Sequence, residues 1–564
     1  MILQQTILFF ISSYWAILVK FFSNYLLEKA LAHAQHHLLV KLNKKLDFAE
    51  LEKLSIGFHH QSGPGSPVTF VSSGLVRAML VKYLYDLSLR ELEERLYSDM
   101  IVGWFVGYDL FGRVPDHTTL DRFELWLKDH RRSAIFDEIL VQIRRDYPDE
   151  RHIQIGDSYG MVANAARENL VPLIRRLSEK LLRSAAETLP EQLAYAVRGF
   201  DWAGLFGVMP EPREYRLKTA QRAERLQMVV LAALDLHKRL AALLKDRPES
   251  EFPALRTLLG CLSKVIADEV SVQDGLVQRL QPKQQGSFRI GSATDLEASY
   301  RVHGTAPEDT SFGYNIQLAV SKSGFVCETR AYTGAVPDQA GVAALVGDQK
   351  ERQGICPKKI IYDQAAGCGK IRADVEKVSD GQTQLSAKLP VYESPANLFT
   401  PYDFVLSEDG KTLTCPNGKS SQVAYAAGGG DGRIFRFFDH QCWQGPLPKG
   451  KKAPDPALVT RCPLWEKCRE ADQGPRTKRQ VFISDYREQV LAAQTYNQSE
   501  DFTLDMQLRP AIERIIFELT HYNGARRARR LGLENADWQA RMNATAYNLK
   551  HWLRMSDRRG LARA

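Results

Sequence analysis

The pattern of apolar and polar positions divides the chain into helical and strand-forming stretches. From 69 to about 147, apolar residues recur at helical spacing in several short segments, and Asp116 can cap the helix that opens PDHTTLDRF. These short helices with interleaved Arg and Lys are typical of a helix-turn-helix-like DNA-binding unit, although such bundles also occur without DNA. Between 168 and 286 the same spacing predicts a large, mostly helical insert.

Short strand-type runs lie on either side of this insert, and two of them end in an acid. HIQIGD precedes the insert and ends at Asp157. After the insert come GYNIQLAVS and FVCETRAYT, joined by a turn at 322–324, then a helix, then KKIIYD, which ends at Asp363. Strands mixed with helices in this order predict an α+β or α/β layer with insertions.

A third acid, Glu513, lies in the amphipathic segment RPAIERIIFEL. One apolar stripe consists of Ile512, Ile515, Ile516 and Leu519, and Glu513 lies at the shoulder of that stripe. Arg509 precedes Glu513 by four residues, so the spacing alone fits either an accessible metal ligand or an ordinary Arg–Glu surface pair. Acids at two strand ends and on a late helix are what a two-metal phosphoryl-transfer site requires.

The composition predicts a soluble protein with a polyanionic partner. A length of 564 residues predicts two to four domains, and 44% hydrophobic with 25% charged residues is ordinary for globular proteins. The net charge is +8, and 509–564 alone contributes +7, with twelve basic and five acidic residues. Such a local excess favours DNA or RNA as partner, with a solvated helix surface as the alternative.

Four of the eight cysteines are grouped in a turn-rich segment between 401 and 500. They are Cys415, Cys442, Cys462 and Cys468. Four thiolates suit a tetrahedral structural zinc ion, and free structural thiols are the alternative. Because no secretory signal accompanies the cysteines, a reducing compartment is favoured over a disulfide framework.

The first residues include an apolar run, 7–19. It contains two serines, is shorter than the ~20 residues of a membrane-spanning helix and follows no basic segment. We therefore expect a peripheral helix or an extension without a role in the activity, and no membrane partner.

Several motifs together resemble one known family. Five segments are similar to segments of bacterial insertion-sequence transposases of the DDE class. They are LSLRELEERL, PDHTTLDRF, DSYGMVANAA around the first acid, KKIIYDQAAG at the second and RPAIERIIFELTHYNGARRARRLGL at the third. The resemblance runs from about residue 70 to 555. It implies a catalytic domain with an RNase H-like fold, in which water cleaves a DNA strand and the freed 3′-hydroxyl then attacks target DNA.

The same resemblance assigns roles to individual residues. Asp157, Asp363 and Glu513 would bind two Mg²⁺ (or Mn²⁺) ions, and Arg509 would join Glu513 in a set of spaced polar residues. Met506 and Thr520 stand where that set usually has Tyr and Lys. Two other acids, Asp295 and Asp338, lie in motif-like contexts and are alternative ligands. The arginines predicted to clamp DNA phosphates are Arg509, Arg526, Arg527, Arg529 and Arg530.

The predicted organisation is an RNase H-like mixed-sheet core with added domains. The segments are a helical N-terminal extension (1–60), a helical DNA-binding domain (69–147), the core (151–166 and 290–400), a helical insert (168–286), a Cys-containing insert (401–500) and the glutamate helix with basic C-terminal helices (505–564). The predicted function is cleavage at element ends and strand transfer into target DNA by a homodimer in the bacterial cytoplasm, associated with the nucleoid. The alternatives are a nuclease without strand transfer and a catalytically decayed DNA-binding relative.

Overall fold

The computed structural model describes residues 21–58, 72–108, 112–149, 151–207, 217–304, 309–390, 398–426, 431–445, 460–469 and 478–563. The apolar run 7–19 lies outside these residues. Within them, no helix is both long enough and apolar enough to cross a membrane.

Helices form most of the regular structure. In the first half of the chain they are α1 (21–33), α2 (Leu38–Lys45), α3 (Phe48–Lys53), α4 (Ser72–Leu84), α5 (Leu89–Ser98), α6 (Met100–Val106), α7 (His117–Arg131), α8 (Ala134–Asp146), α9 (Leu170–Thr188), α10 (Pro190–Ala196), α11 (Trp202–Phe206), α12 (Thr219–Leu243) and α13 (Pro253–Glu269). In the second half they are α14 (Val342–Gln353), α15 (Gly369–Val378), α16 (Asp439–Cys442), α17 (Trp465–Cys468), α18 (Arg487–Tyr496), α19 (Glu500–Leu508), α20 (Ala511–Tyr522) and α21 (Leu533–Arg563).

The strands are mostly short. They are β1 (Ile153–Val162), β2 (Val270–Gln273), β3 (Leu276–Arg279), β4 (Ser299–Val302), β5 (Thr310–Ser321), β6 (Val326–Thr333), β7 (Lys359–Ile361), β8 (Gln384–Ser386), β9 (Val405–Leu406), β10 (Thr412–Thr414), β11 (Ser420–Ala426), β12 (Gly432–Phe437), β13 (Trp443–Gln444), β14 (Thr460–Arg461) and β15 (Arg479–Ser484). The protein is therefore a mainly helical, mixed α/β protein, which agrees with the predicted class.

The described residues form two compact units. The first comprises Met1–Arg151, Asp157–Gly341 and Ala511–Ala564, and the second comprises His152–Gly156 and Val342–Pro510. Strand β1 thus contributes its first residues to the second unit and the rest to the first.

In the first unit, β5 pairs antiparallel with both β4 and β6 and also neighbours β1. The β5–β6 hairpin turns at 322–324 as predicted, and Gly324 has a φ of +104°. Gly313 allows the close approach of β5 to β1, because a Cβ there would lie 2.1 Å from the carbonyl oxygen of Met161. The sheet is covered by α21, which also contacts α4 and α8.

Helix α21 is buried over about half of its length. Residues 536–549 are buried all round, including polar side chains such as Asn543 and Asn548. Asn548 accepts a hydrogen bond from the backbone N–H of Val326 (2.8 Å), and Arg541 donates to Glu328 (2.7 Å). A helix that is buried on all sides lies in the core of its unit. Its polar side chains bind backbone groups at the edge of the sheet or form buried ion pairs.

Residues 170–269 of the first unit form a helical bundle, which a short hairpin follows. α9, α12 and α13 pack around a core that includes Ile174, Leu177, Leu236 and Leu262, all fully buried. The helix predicted to continue past 269 instead ends there, and β2 and β3 form an antiparallel hairpin. Its turn is Asp274–Gly275, and both residues have positive φ, as a two-residue hairpin turn requires.

In the second unit, the first residues of β1 pair in parallel with β7, and β7 pairs in parallel with β8. Gln154 and Gln349 exchange two buried hydrogen bonds of 2.9 Å, which attach α14 to β1. A separate antiparallel sheet has the order β15–β12–β11–β10–β9 and a core of six buried side chains, among them Phe404, Leu413 and Phe435. This sheet lies in the segment predicted as the Cys-containing insert.

Candidate active site

Asp157 lies within β1 and not at the strand end predicted for it. The strand continues to Val162, because the residues after the acid still neighbour β5 and Val162 forms a bridge with Arg527. Asp157 is half-buried, and its carboxylate accepts a hydrogen bond from the backbone N–H of Ser158 (2.8 Å).

Asp363 lies two residues beyond β7, as predicted. Its side chain accepts a hydrogen bond from the backbone N–H of Ala365 (3.1 Å) and thereby caps a 3₁₀ turn, Gln364–Gly367. The buried Arg372 fixes the end of this turn, since it donates to the carbonyl oxygens of Gly367 (3.1 Å) and Leu385 (2.7 Å). The half-buried Asp363 is therefore held on a stiff turn.

Glu513 lies in the first turn of α20, which begins at Ala511. The continuous helix predicted from Arg509 is wrong, because 509–510 form a turn after α19 and Pro510 cannot donate a backbone hydrogen bond. The predicted apolar stripe is confirmed, since Ile512, Ile515 and Leu519 are buried, while the Glu513 side chain is exposed.

The two alternative acids are occupied by structural contacts. Asp295 is buried and accepts hydrogen bonds from the hydroxyl of Tyr314 and the backbone N–H of Gly532. Asp338 pairs with Arg301 (3.1 Å) and accepts from Asn315 (2.8 Å). Although burial raises the pKa of Asp338, these and other polar contacts outweigh it and leave the pKa lowered. Both carboxylates therefore stabilise the fold around them.

The carboxylates are the donor type that Mg²⁺ prefers. In the part of the chain that the structure describes, however, no group of three or more His, Cys, Asp or Glu side chains is arranged to hold a metal ion. This statement covers Asp157, Asp363 and Glu513 as well as the four grouped cysteines, so their joint role as ligands stays a prediction.

The basic run Arg526–Arg530 is fixed to the end of β1. The backbone N–H of Val162 donates to the carbonyl of Arg526 (2.9 Å), and the N–H of Ala528 donates to the carbonyl of Val162 (2.8 Å). Ala528 is buried by this parallel bridge, whereas the side chains of Arg526 and Arg527 are exposed. These two arginines are available to a phosphate.

The other two arginines of the run make contacts inside the protein. Arg529 pairs with Asp86 and donates to the carbonyl of Leu87 (2.8 Å). Arg530 pairs with Asp121 and donates to the almost fully buried Glu124 (3.1 Å). The predicted DNA-binding run is thus divided between two exposed arginines and two that hold the N-terminal helices.

A basic cleft lies beside this run within the first unit. It has a volume of about 750 Å³, and its lining includes Ser88, Glu91, Asp121, His521, Arg526 and Arg527. A neighbouring cleft of about 490 Å³ shares Ser88 and Asp121 and adds Arg90 and Arg122. Ser88 and Glu91 form the capping box of α5, and Asp116 caps α7 as predicted by accepting from the N–H of Thr119. Two helix N-termini and four exposed arginines therefore border one surface.

The four grouped cysteines line one small cavity of about 30 Å³ in the second unit. Cys415 starts a turn that its carbonyl closes with the N–H of Gly418 (2.8 Å), and the N–H of Cys462 donates to the carbonyl of Cys442 (2.8 Å). Burial raises the pKa of the Cys442 and Cys468 thiols. Arg469 opposes this at Cys442, whose sulfur it contacts at 3.8 Å.

Two family models match the chain. Residues 27–124 match the one described as Transposase domain (DUF772), and residues 456–553 match the one described as Transposase DDE domain. The chain therefore contains two transposase domains. It is an insertion-sequence-type transposase with a DUF772 N-terminal domain and a DDE domain, and hence a polynucleotidyl transferase. No curated protein and no solved structure is detectably similar to it.

The second match covers Glu513 and the basic run but neither Asp157 nor Asp363. The first match covers α4, α5 and much of α7, whose N-termini border the basic clefts. The sequence pattern did not predict that the arginine run pairs with Asp86, Asp121 and Glu124 of the N-terminal helices, and no local signal in the sequence indicates these pairs.

Proposed function

We propose that this transposase cleaves DNA at the ends of an insertion sequence and transfers the freed 3′ ends into target DNA. The observation that carries the proposal is the match to the DDE domain, which includes Glu513. Glu513 is exposed on α20, and the basic run follows this helix along the chain. Binding of DNA follows from the transposase class, whereas the specific steps of cleavage and joining are the proposal.

The proposed catalytic core is RNase H-like, the fold that a DDE domain implies. In one unit β5 pairs with β4 and β6 and neighbours β1, and in the other the first residues of β1 form a parallel ladder with β7 and β8. Both arrangements support this fold. Asp157 directly follows the part of β1 that belongs to the ladder, and Asp363 follows β7.

Asp157, Asp363 and Glu513 are the proposed ligands of Mg²⁺ or Mn²⁺. Such ions, when bound, activate the attacking oxygen and stabilise the leaving one. In the proposal, Arg526 and Arg527 hold the DNA backbone close to the end of β1, and Arg509 adds a further phosphate contact. These arginines position DNA without reading its sequence.

The decisive experiment uses Asp157→Asn, Asp363→Asn and Glu513→Gln in the full chain. Each variant should lose Mg²⁺-dependent cleavage of element-end DNA by more than about 100-fold, because several kcal/mol of charge stabilisation disappear, while DNA binding is retained. Asp338→Asn serves as the control acid and should keep cleavage. A variant with full activity removes its residue from the site.

Two alternatives have their own outcomes. A nuclease without strand transfer would cleave but fail to join pre-cleaved ends to a plasmid target. A decayed relative would bind DNA without nicking it in Mg²⁺. A homodimer is proposed because two element ends must be held together, and a cytoplasmic, nucleoid-associated location follows from the DNA substrate.

We also propose free structural thiols at the four-cysteine cavity, with a structural zinc ion as the alternative. The convergence of Cys415, Cys442, Cys462 and Cys468 on one cavity supports zinc. The absence of a metal-holding arrangement among the described residues favours free thiols instead. Zinc content of the purified protein decides between the two.

A further inference from the structure

Helix α20 carries an aromatic pair on the face that should be polar. Ile512, Ile515 and Leu519 are buried on one side of the helix. At about 100° per residue, Phe517 lies about 40° and His521 about 80° from Glu513, on the side opposite the buried residues. Phe517 is 48% exposed, and His521 is also exposed.

The rings form a flat, stacked surface. The Phe517 and His521 ring centroids are 4.0 Å apart, with 21° between the planes. Tyr522, 67% exposed, meets the Phe517 ring edge-on at 5.9 Å. Large exposed aromatic side chains are unusual on a solvated helix face, and a cluster of them indicates a binding surface.

The aromatic surface adjoins positive charge. His521 lines the 750 Å³ cleft together with Arg526 and Arg527, whose side chains are exposed. On α20 itself, Arg514 is exposed on the same side as His521. Aromatic faces flanked by cations are the combination that binds single-stranded nucleic acid, because every base offers a π-face and every nucleotide a phosphate.

We propose that Phe517 and His521 stack on the bases of an unpaired DNA strand that runs along α20 past Glu513, with Arg526 and Arg527 on its phosphates. Bases inside a duplex are already stacked, so this surface selects a strand whose end has been unpaired or flipped out. The proposal deepens the proposed function and rests on it, since Glu513 defines where the reacting strand must pass.

The charge of the cleft favours DNA over a protein partner as the occupant. An apolar protein surface would leave Arg514, Arg526 and Arg527 facing it without compensating charge, whereas a DNA strand supplies one phosphate per nucleotide.

The test compares full-length wild type with Phe517→Ala and His521→Ala. Phe517 and His521 are four residues apart on an exposed face, and such pairs add little to helix stability, so both variants should fold. The control is Tyr195→Ala, a 71% exposed tyrosine of the helical insert. Binding is measured by fluorescence anisotropy at one fixed salt concentration to a labelled 20-nucleotide oligo(dT) and to a blunt 20-base-pair duplex.

Each α20 variant should bind oligo(dT) about 5- to 100-fold more weakly than wild type, the loss of one base stack. Duplex affinity should change less than twofold, and Phe517→Trp should bind oligo(dT) as wild type does. An oligonucleotide with one 2-aminopurine should show quenched emission with wild type and recovered emission with Phe517→Ala.

Equal losses on both DNAs, or unchanged oligo(dT) binding, overturn the proposal and leave a protein partner as the remaining occupant. Failure of the stacking surface and failure of the proposed function give different results. If Phe517→Ala loses its preference for oligo(dT) over the duplex but wild type does not cleave DNA, only the transposition chemistry is rejected. Normal cleavage with unchanged oligo(dT) binding rejects the stacking surface alone.

Discussion

Replacing Glu124 with glutamine tests whether the arginine run holds the N-terminal helices. Glu124 is 2% exposed. It accepts hydrogen bonds from Lys82 (2.5 Å), Tyr83 (2.8 Å) and Arg530 (3.1 Å). The substitution keeps the size of the side chain but leaves the buried Lys82 ammonium and the Arg530 guanidinium without their shared counter-charge.

The pKa of Glu124 gives the expected magnitude. Burial by itself raises this pKa, but the charges of Lys82 and Arg530 and the hydrogen bonds from Lys82 and Tyr83 outweigh it and lower the pKa from 4.5 to about 2. A shift of that size corresponds to roughly 3 kcal/mol of stability. Removing one partner of a buried ion pair typically costs about 3–5 kcal/mol, which agrees.

The pH dependence has a definite sign. Because the folded-state pKa of Glu124 is lower than its ordinary value, the carboxylate stabilises the folded state above about pH 4.5, and this contribution is lost as the pH falls toward 2. Glu124→Gln removes this part of the acid sensitivity.

Urea unfolding followed by circular dichroism at pH 7 and pH 3 measures both effects. Glu124→Gln should lower the free energy of unfolding by about 3 kcal/mol at pH 7. At pH 3 the difference in the free energy of unfolding between wild type and variant should be smaller than at pH 7. Glu50→Gln is the matched control, since its pair with Lys53 is exposed and adds little to stability. The reasoning is refuted if the variant loses less than about 1 kcal/mol of unfolding free energy at pH 7. It is also refuted if the difference between wild type and variant is as large at pH 3 as at pH 7.

The remaining predictions concern the two kinds of arginine and the thiol cavity. Arg526→Ala should weaken DNA binding and reduce the slope of log affinity against log salt by about 1, with an unchanged urea midpoint; Arg530→Ala should instead lower the midpoint, and the reverse pattern contradicts the division of the run. If zinc occupies the cysteine cavity, elemental analysis should find about one ion per chain, and Cys462→Ser should lose it; metal-free protein that resists a chelator leaves free thiols as the answer.

Local features of the chain could be predicted from short-range rules. The capping of α7 by Asp116, the β5–β6 hairpin and the buried stripe Ile512–Leu519 follow from residue type and spacing over a few positions. The hairpin at Asp274–Gly275 could also be predicted locally, since Asp-Gly between two alternating runs is a strong turn signal. The helical spacing of the residues before it favours a helix there instead.

What the sequence by itself determined is the order of helices and strands, the family motifs and the positions of the three acids along the chain. Only the tertiary structure decided which arginines of the basic run are exposed, which contacts Asp295 and Asp338 make, and that residues 536–549 of α21 are buried all round. The physical reason is distance along the chain. Arg530 and Glu124 are 406 residues apart, and whether a charge meets DNA or a buried carboxylate depends on packing that no local pattern encodes.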